Sequence, residues 1–481
     1  MNLATLKARA ARILPNNAFA RSVSVLVGGT AGAQLLMVLA SPLLTRLYTP
    51  DDFGLLAVYA GLLGVLAVIA SLRYELAIPL PESDQDAASI VVLSLLAVLG
   101  VTLTTAILVL MGGDSIASVL GVPKLAGLLW LLPLGVLLQG CYKVFNYWAI
   151  RTKQFPLIAK TRLRQALATL AIQLVGAKAG SVSLLGGQAT GQGVGSITLA
   201  RSALKRPELR HWRCRDVWHS AKRYRDFPLF STWGGFFNSV GQQLPPLLFA
   251  SLFGAGAAGL YALAHRVLTM PMSIVGQAVG NVFFSSAAEA YREGRLGPLV
   301  SSVHEKLAQI AMPPALVLIV IGPDLFTLVF GEQWRSAGDF ARWMAPWLYM
   351  VFITSPLSTL FSVMEKQTQG LLFQVILLLA RVVAITLGAW QGNLIVAVML
   401  FSGASALCWV GFLAWITRVT GNTQGMMLRP AASTFVVSLA SVAPLWLGTH
   451  WPTFSFIWWL LAMATAGLMA IHYWRLFRKA F

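Results

Sequence analysis

The chain has 481 residues, of which 57% are hydrophobic and 11% charged, with a mean hydropathy of +0.72 and a formal net charge of +19. Soluble domains carry about 25% charged residues, so this composition excludes a soluble enzyme, a disordered scaffold and a disulfide-stapled secreted module. The basic excess, 36 Lys+Arg against 17 Asp+Glu, does not mark a nucleic-acid binder, because a basic soluble domain would carry the charges without the apolar runs; in an apolar chain it marks the cytoplasmic loops of an inner-membrane protein.

Residues 1–20 are basic and amphipathic, with Lys7, Arg9 and Arg12. No A-x-A-like cleavage site follows a short apolar core, so the first span is expected to be retained. A helix of about 20 apolar residues crosses about 30 Å of hydrocarbon. About 14 such stretches occur: 21–45, 53–80, 87–111, 126–149, 157–177, 182–203, 228–252, 257–284, 299–322, 337–364, 368–390, 394–417, 431–448 and 453–473. The fifth opens with Lys160, Arg162 and Arg164, and the sixth is rich in Gly and Gln. On the sixth, Gly187, Gly191 and Gly195 repeat a G-x-x-x-G spacing that puts them along one face for close helix packing. Connections are short. The expectation is an all-α polytopic membrane protein of about 14 transmembrane helices.

Between the sixth and seventh spans lies RSALKRPELRHWRCRDVWHSAKRYRDF (201–227), with nine Lys/Arg and with Trp212, Trp218 and Tyr224 at intervals that suit a surface-lying helix. It reads as an interfacial linker held by anionic lipid, with binding of a cytoplasmic partner as the sharper alternative. With the amino end inside, 28 of the 36 Lys/Arg fall on the inner side and 5 on the outer. That bias predicts both termini in the cytoplasm. Lys143, Arg266 and Arg381 are left within spans.

The chain also repeats itself. Pro42-Leu43-Leu44 matches Pro246-Leu247-Leu248, and Gly54-Leu55 matches Gly259-Leu260. An even number of spans separates the pairs, so the two halves enter the membrane in the same direction, a parallel repeat about an axis along the membrane normal. The expected organisation is a six-helix bundle over 1–203, the basic linker 204–227, a second six-helix bundle over 228–418 and two further helices over 419–481.

The run LRYELAIPLPESDQDA from Leu72, and GLYALAHRVLTMPMSIVGQAVGNVFFSSAAEAYREGR from Gly259, resemble the Wzx-type flippases of the multidrug/oligosaccharidyl-lipid/polysaccharide exporter superfamily. The resemblance covers most of the chain in topology and these two segments in sequence. It implies that a polyprenyl-pyrophosphate-linked oligosaccharide is moved from the cytoplasmic to the periplasmic leaflet by alternating access, with membrane lipids and other polysaccharide-assembly proteins as partners. No nucleic acid is expected.

Mid-span charges cost at least about 2.5–3.5 kcal/mol each and usually face a cavity. Arg266 beside His265, Arg381 and Lys143 are therefore candidates for a cationic cavity that offsets the desolvation of a pyrophosphate. Arg73 at the inner end of the second span joins them. Read as helix, Arg73 and Glu75 diverge by about 200°, so that one points inward while the other pairs elsewhere; Glu75 is the candidate for proton or sodium coupling. The amides of Gln34, Gln173, Gln188, Gln192, Asn238, Gln242, Gln243 and Gln277 suit either sugar hydroxyls or helix–helix hydrogen bonds.

GAGAAG over 254–259 spells G-x-G-x-x-G but sits in a turn without a βαβ unit, so no nucleotide site is expected. No Walker A sequence occurs, so the chain is expected to be a transporter without its own ATPase. The scattered histidines lack metal-ligand spacing, and Cys141, Cys214 and Cys408 form no C-x-x-C pair; neither cofactor nor metal is predicted. Three other readings share some of these features: a lipid II flippase, a multidrug or cation antiporter of the same superfamily, and a membrane glycan polymerase or ligase. The antiporter should favour carboxylates over cations at mid-span, and the polymerase should need a large outer loop.

Overall fold

The computed structural model describes residues 18–209, 212–449, 451 and 455–480; the predicted basic tail with Lys7, Arg9 and Arg12 lies outside them. The described residues contain fourteen helices of 20 residues or more. In chain order they are α1 Ala18–Leu39, α2 Pro50–Ile69, α3 Asp84–Val119, α4 Leu131–Arg151, α5 Phe155–Val175, α6 Ser181–Ala203, α7 Thr232–Phe253, α8 Ala255–Arg292, α9 Leu296–Phe330, α10 Arg335–Thr354, α11 Gln367–Trp390, α12 Leu394–Val419, α13 Gln424–Gly448 and α14 Phe456–Ala480. Each predicted apolar stretch falls on one of them. Among the described residues, nine helical spans are long and apolar enough to cross a membrane. Helices α4 to α7 are more polar, because they carry most of the amides, the repeated glycines and Lys143.

Local chemistry sets the starts. Thr49 and Asp52 form a capping box on α2, Thr49 Oγ1 accepting from the Asp52 amide and the Asp52 carboxylate accepting from the Thr49 amide. Ser83 accepts from the amides of Gln85 and Asp86 to open α3, and Asn393 does the same for Ile395 and Val396 at α12. The long helices bend where their sequence requires it: α3 at Gly112, and α9 at Ile321, two residues before Pro323.

The chain divides into two compact units between Gly259 and Leu260. In the first, α5 packs on α6 and α1, α4 packs on α3 and α6, and α2 packs on α7. The sequence groups α7 with the second bundle; its packing partner here is α2, with Ser239 Oγ donating to the Gly64 carbonyl at 3.1 Å. Glycines close the α5–α6 contact. A Cβ on Gly187, Gly191 or Gly195 would strike Gln173, Thr169 or Gln165, which recur every fourth residue on α5. Gln173 Nε2 also donates to the Leu184 carbonyl, and Gln165 Nε2 to Gln192 Oε1. In this pair the amides serve helix association.

In the second unit α9 packs on α10 and α13, α10 on α12, α11 on α12, and α13 on α14. One core gathers Phe283, Leu296, Val300, Leu357, Phe412 and Ile416. Helix α11 shows the membrane pattern plainly. Leu372, Ile376, Leu379, Val383 and Leu387 are exposed, while Leu377, Ala384, Ile385 and Gly388 are buried. A helix apolar on its outer face as well as its inner one is shaped for lipid.

Candidate functional site

Each unit holds one group of the predicted charged residues. In the first, α2 ends at Ile69, and the chain then turns through Leu72 and Arg73, both at positive φ (49° and 62°), into a short 3-10 helix Tyr74–Ala77. The predicted span 53–80 is therefore broken. The helical geometry expected of Arg73 and Glu75 does not apply; the prolines at 79 and 81 are the signal that the helix could not continue. Left-handed backbone costs a non-glycine residue about 1–2 kcal/mol, and here it aims two side chains. Glu75 is buried, 1% exposed, and its carboxylate accepts from Ser71 Oγ. Arg73 packs its guanidinium against the Cα of Gly235, where a Cβ would lie 2.4 Å from Nη2; among the described residues its buried Nε has no hydrogen-bond partner.

Lys143 completes this group. Its Nζ donates to the Ala67 carbonyl at 2.7 Å, near the end of α2, and it lies within electrostatic reach of both Glu75 and Arg73. Among the described residues no cation pairs with the Glu75 carboxylate within 4.0 Å. The turn is held from below by Arg151, which donates to the carbonyls of Ile78, Pro81 and Glu82 and pairs with Asp84 at 2.8 Å. Sequence reading counted Arg151 only as one of the inner-loop charges.

In the second unit, four helices converge on one guanidinium. Arg381 lies on the buried face of α11, in line with Leu377, Ala384 and Ile385. It sits 5.1 Å from the Trp347 ring of α10 and 5.6 Å from the Phe401 ring of α12, and its Nε donates to Ser405 Oγ at 3.2 Å. Trp347 and Phe401 meet edge to face at 5.0 Å. His265 of α8 stacks on Tyr261 at 5.4 Å and on Trp347 at 6.1 Å, and Tyr261 returns to Phe401 at 5.8 Å. The ring quadrupoles stabilise the cation without neutralising it, and among the described residues no carboxylate pairs with it within 4.0 Å. The indole N–H of Trp347 is buried and, among the described residues, has no hydrogen-bond partner. Such a guanidinium can take an anion, and the neighbouring aromatic faces suit a sugar ring.

Of the residues expected to line one cationic cavity, His265 and Arg381 share a cluster in the second unit, and Lys143, Arg73 and the coupling candidate Glu75 share one in the first. Arg266 follows His265 on α8, turned about 100° from it and half-buried. Tyr261, Trp347, Phe401 and Ser405 were not anticipated. Each is an ordinary residue in an apolar helix, and only tertiary packing brings them together.

The model of the polysaccharide biosynthesis protein family matches residues 43–339. The succinoglycan biosynthesis transport protein ExoT of Rhizobium meliloti (strain 1021) is 25% identical over 432 residues, covering 85% of this chain and 83% of that protein. The lipopolysaccharide biosynthesis protein WzxC of Escherichia coli (strain K12) is 29% identical over 111 residues, 23% of each chain. Among solved structures, the lipid II flippase MurJ in an inward closed conformation superposes with a TM-score of 0.75 at 13% identity, over 95% of this chain and 99% of that one. An inward-facing multidrug resistance transporter of the MATE family, from the MOP superfamily, superposes with a TM-score of 0.67 at 15% identity, over 81% and 94%. At these identities the structural likeness establishes a shared fold, that of an all-helical polytopic membrane protein.

Proposed function

The chain belongs to the polysaccharide biosynthesis protein family, and from that premise we propose that it is a flippase that carries a polyprenyl-pyrophosphate-linked oligosaccharide from the cytoplasmic to the periplasmic leaflet of the bacterial inner membrane, for surface polysaccharide assembly. The transport role named for its relative ExoT supports this reading. The observation that carries it is Arg381, a guanidinium within an apolar span, cradled by rings and, among the described residues, without a carboxylate within 4.0 Å. A cation at such a position is costly unless it has work to do. Its task is to hold the pyrophosphate, while Trp347, Tyr261 and Phe401 offer faces to the sugars and the polyprenyl tail remains in lipid. Arg266 supplies further positive potential in the second unit, and Lys143 and Arg73 supply it in the first.

Transport proceeds by alternating access, the binding site opening first to the cytoplasm and then to the periplasm. An inside-negative potential favours outward movement of the anionic headgroup by about 2.3 kcal/mol per charge per 100 mV. Glu75, buried on Ser71 and near Lys143, is the group placed to couple proton or sodium entry. Other polysaccharide-assembly proteins would receive the cargo. In cells lacking the chromosomal copy, wild type should restore surface polysaccharide. Arg381→Ala and Arg266→Ala, present at wild-type membrane levels, should not. Normal polysaccharide from both variants would remove the assignment of these residues.

A further inference from the structure

The linker after α6 interleaves basic and apolar residues. Arg201, Lys205, Arg206, Arg213 and Arg215 are exposed, and among the described residues none of them makes an ion pair. Between them stand Leu204, Leu209 and Trp212, of which Leu209 is buried and the other two are about half exposed. With Val92, Leu95 and Leu99 of α3 and Phe145 of α4 they line an open apolar cavity of about 330 Å³. The short helix Cys214–Arg223 then docks on α3 through buried Val217 and Ser220, leaving Trp218 75% exposed.

A groove of this kind needs an occupant with an apolar chain and a negative head. Its α3 wall, which includes exposed Leu96, continues into exposed Leu103 and Ile107, the pattern of a helix flank facing hydrocarbon. A water-soluble partner cannot reach into that flank, whereas an acyl chain is already there. The cations sit beside the groove-lining residues in sequence, Lys205 after Leu204 and Arg213 after Trp212, so the groove pairs apolar lining with exposed positive charge. Exposed Trp218 marks the level of the headgroups.

We propose that the groove between α3 and the linker is a binding site for an anionic phospholipid, one acyl chain lying against Leu95, Leu99 and Trp212 and the phosphate meeting the basic residues around them. The lipid fastens the linker to the membrane surface at that end of the first unit. The site is built from residues of the first unit alone and does not depend on which cargo is moved.

Native mass spectrometry of the full-length protein in detergent, titrated with defined lipids, tests this. Phosphatidylglycerol should bind more tightly than phosphatidylcholine of the same chains. The R201Q/K205Q/R206Q triple variant should weaken phosphatidylglycerol by about fivefold per charge removed while leaving phosphatidylcholine unchanged. Leu99→Trp, at a half-exposed position that tolerates bulk, should weaken both lipids by filling the groove. Equal binding of the two phospholipids to wild type would overturn the proposal, as would wild-type phosphatidylglycerol affinity in the triple variant. Displacement of phosphatidylglycerol by equimolar undecaprenyl phosphate would also overturn it, by giving the groove to the carrier lipid.

Discussion

Arg381 donates to Ser405 from Nε and lies over two rings, so its remaining guanidinium donors are the ones offered to a ligand. Removing a charge-assisted hydrogen bond costs about 1.5–3 kcal/mol, and Arg381→Ala should weaken cargo binding by about ten- to a hundredfold. Arg381→Lys should recover little, because an ammonium lacks the planar fork that both stacks on rings and grips phosphate; titration with a labelled lipid-linked oligosaccharide checks both. Glu75→Gln keeps the hydrogen-bonding shape at Ser71 but removes the charge. Under the coupling role it should leave cargo binding unchanged and abolish the response of transport to an imposed ion gradient. Arg381 was legible because a charge inside an apolar run stands out. Its ring partners were not, since Tyr261, Trp347 and Phe401 lie on three other helices and nothing in their local sequence distinguishes them from core residues. Glu75 was legible as a candidate, yet its setting was not, because the break after Ile69 replaces helix with left-handed turn residues.

Helix contacts rest on places where a side chain is missing. Gly54 and Gly259, matched by the internal repeat, meet reciprocally: a Cβ on Gly54 would lie 1.8 Å from the Ala255 carbonyl oxygen, and one on Gly259 would lie 1.9 Å from that of Pro50. Pro50 and Ala255 open α2 and α8, so the starts of two helices cross in a locally twofold contact. Each atom struck belongs to backbone and cannot swing aside. Gly54→Ala and Gly259→Ala should each cost about 1–3 kcal/mol, seen as a lowered thermal unfolding midpoint in detergent. Of the G-x-G-x-x-G letters over 254–259, Gly259 thus serves close packing, while Gly254 takes a positive φ of 88° after α7. The repeat was readable because the same contact uses the same small residue twice. The Arg151 clamp was not, since three of its four partners are backbone carbonyls, which no sequence displays. Arg151→Ala should free the 78–84 turn, detected as faster amide hydrogen exchange there with little change in the second unit.

At the scale of the whole chain, each of the fourteen apolar stretches falls on a long helix among the described residues, because crossing a bilayer sets a minimum length and requires the backbone to satisfy its own hydrogen bonds. The ends were less legible, set by caps and by breaks such as the one before Arg73. The lopsided placement of Lys and Arg predicts both termini in the cytoplasm, so a fluorescent protein fused after Phe481 should glow and an alkaline phosphatase fused there should stay inactive. The most direct test uses proteoliposomes holding a fluorescent polyprenyl-pyrophosphate oligosaccharide in the donor leaflet, with label on the far side quenched as it appears. Wild type should transfer the lipid, and more rapidly under a potential that draws anions across. Arg381→Ala should fall to the rate of protein-free vesicles. No transfer by wild type, or equal transfer by Arg381→Ala, would contradict the account.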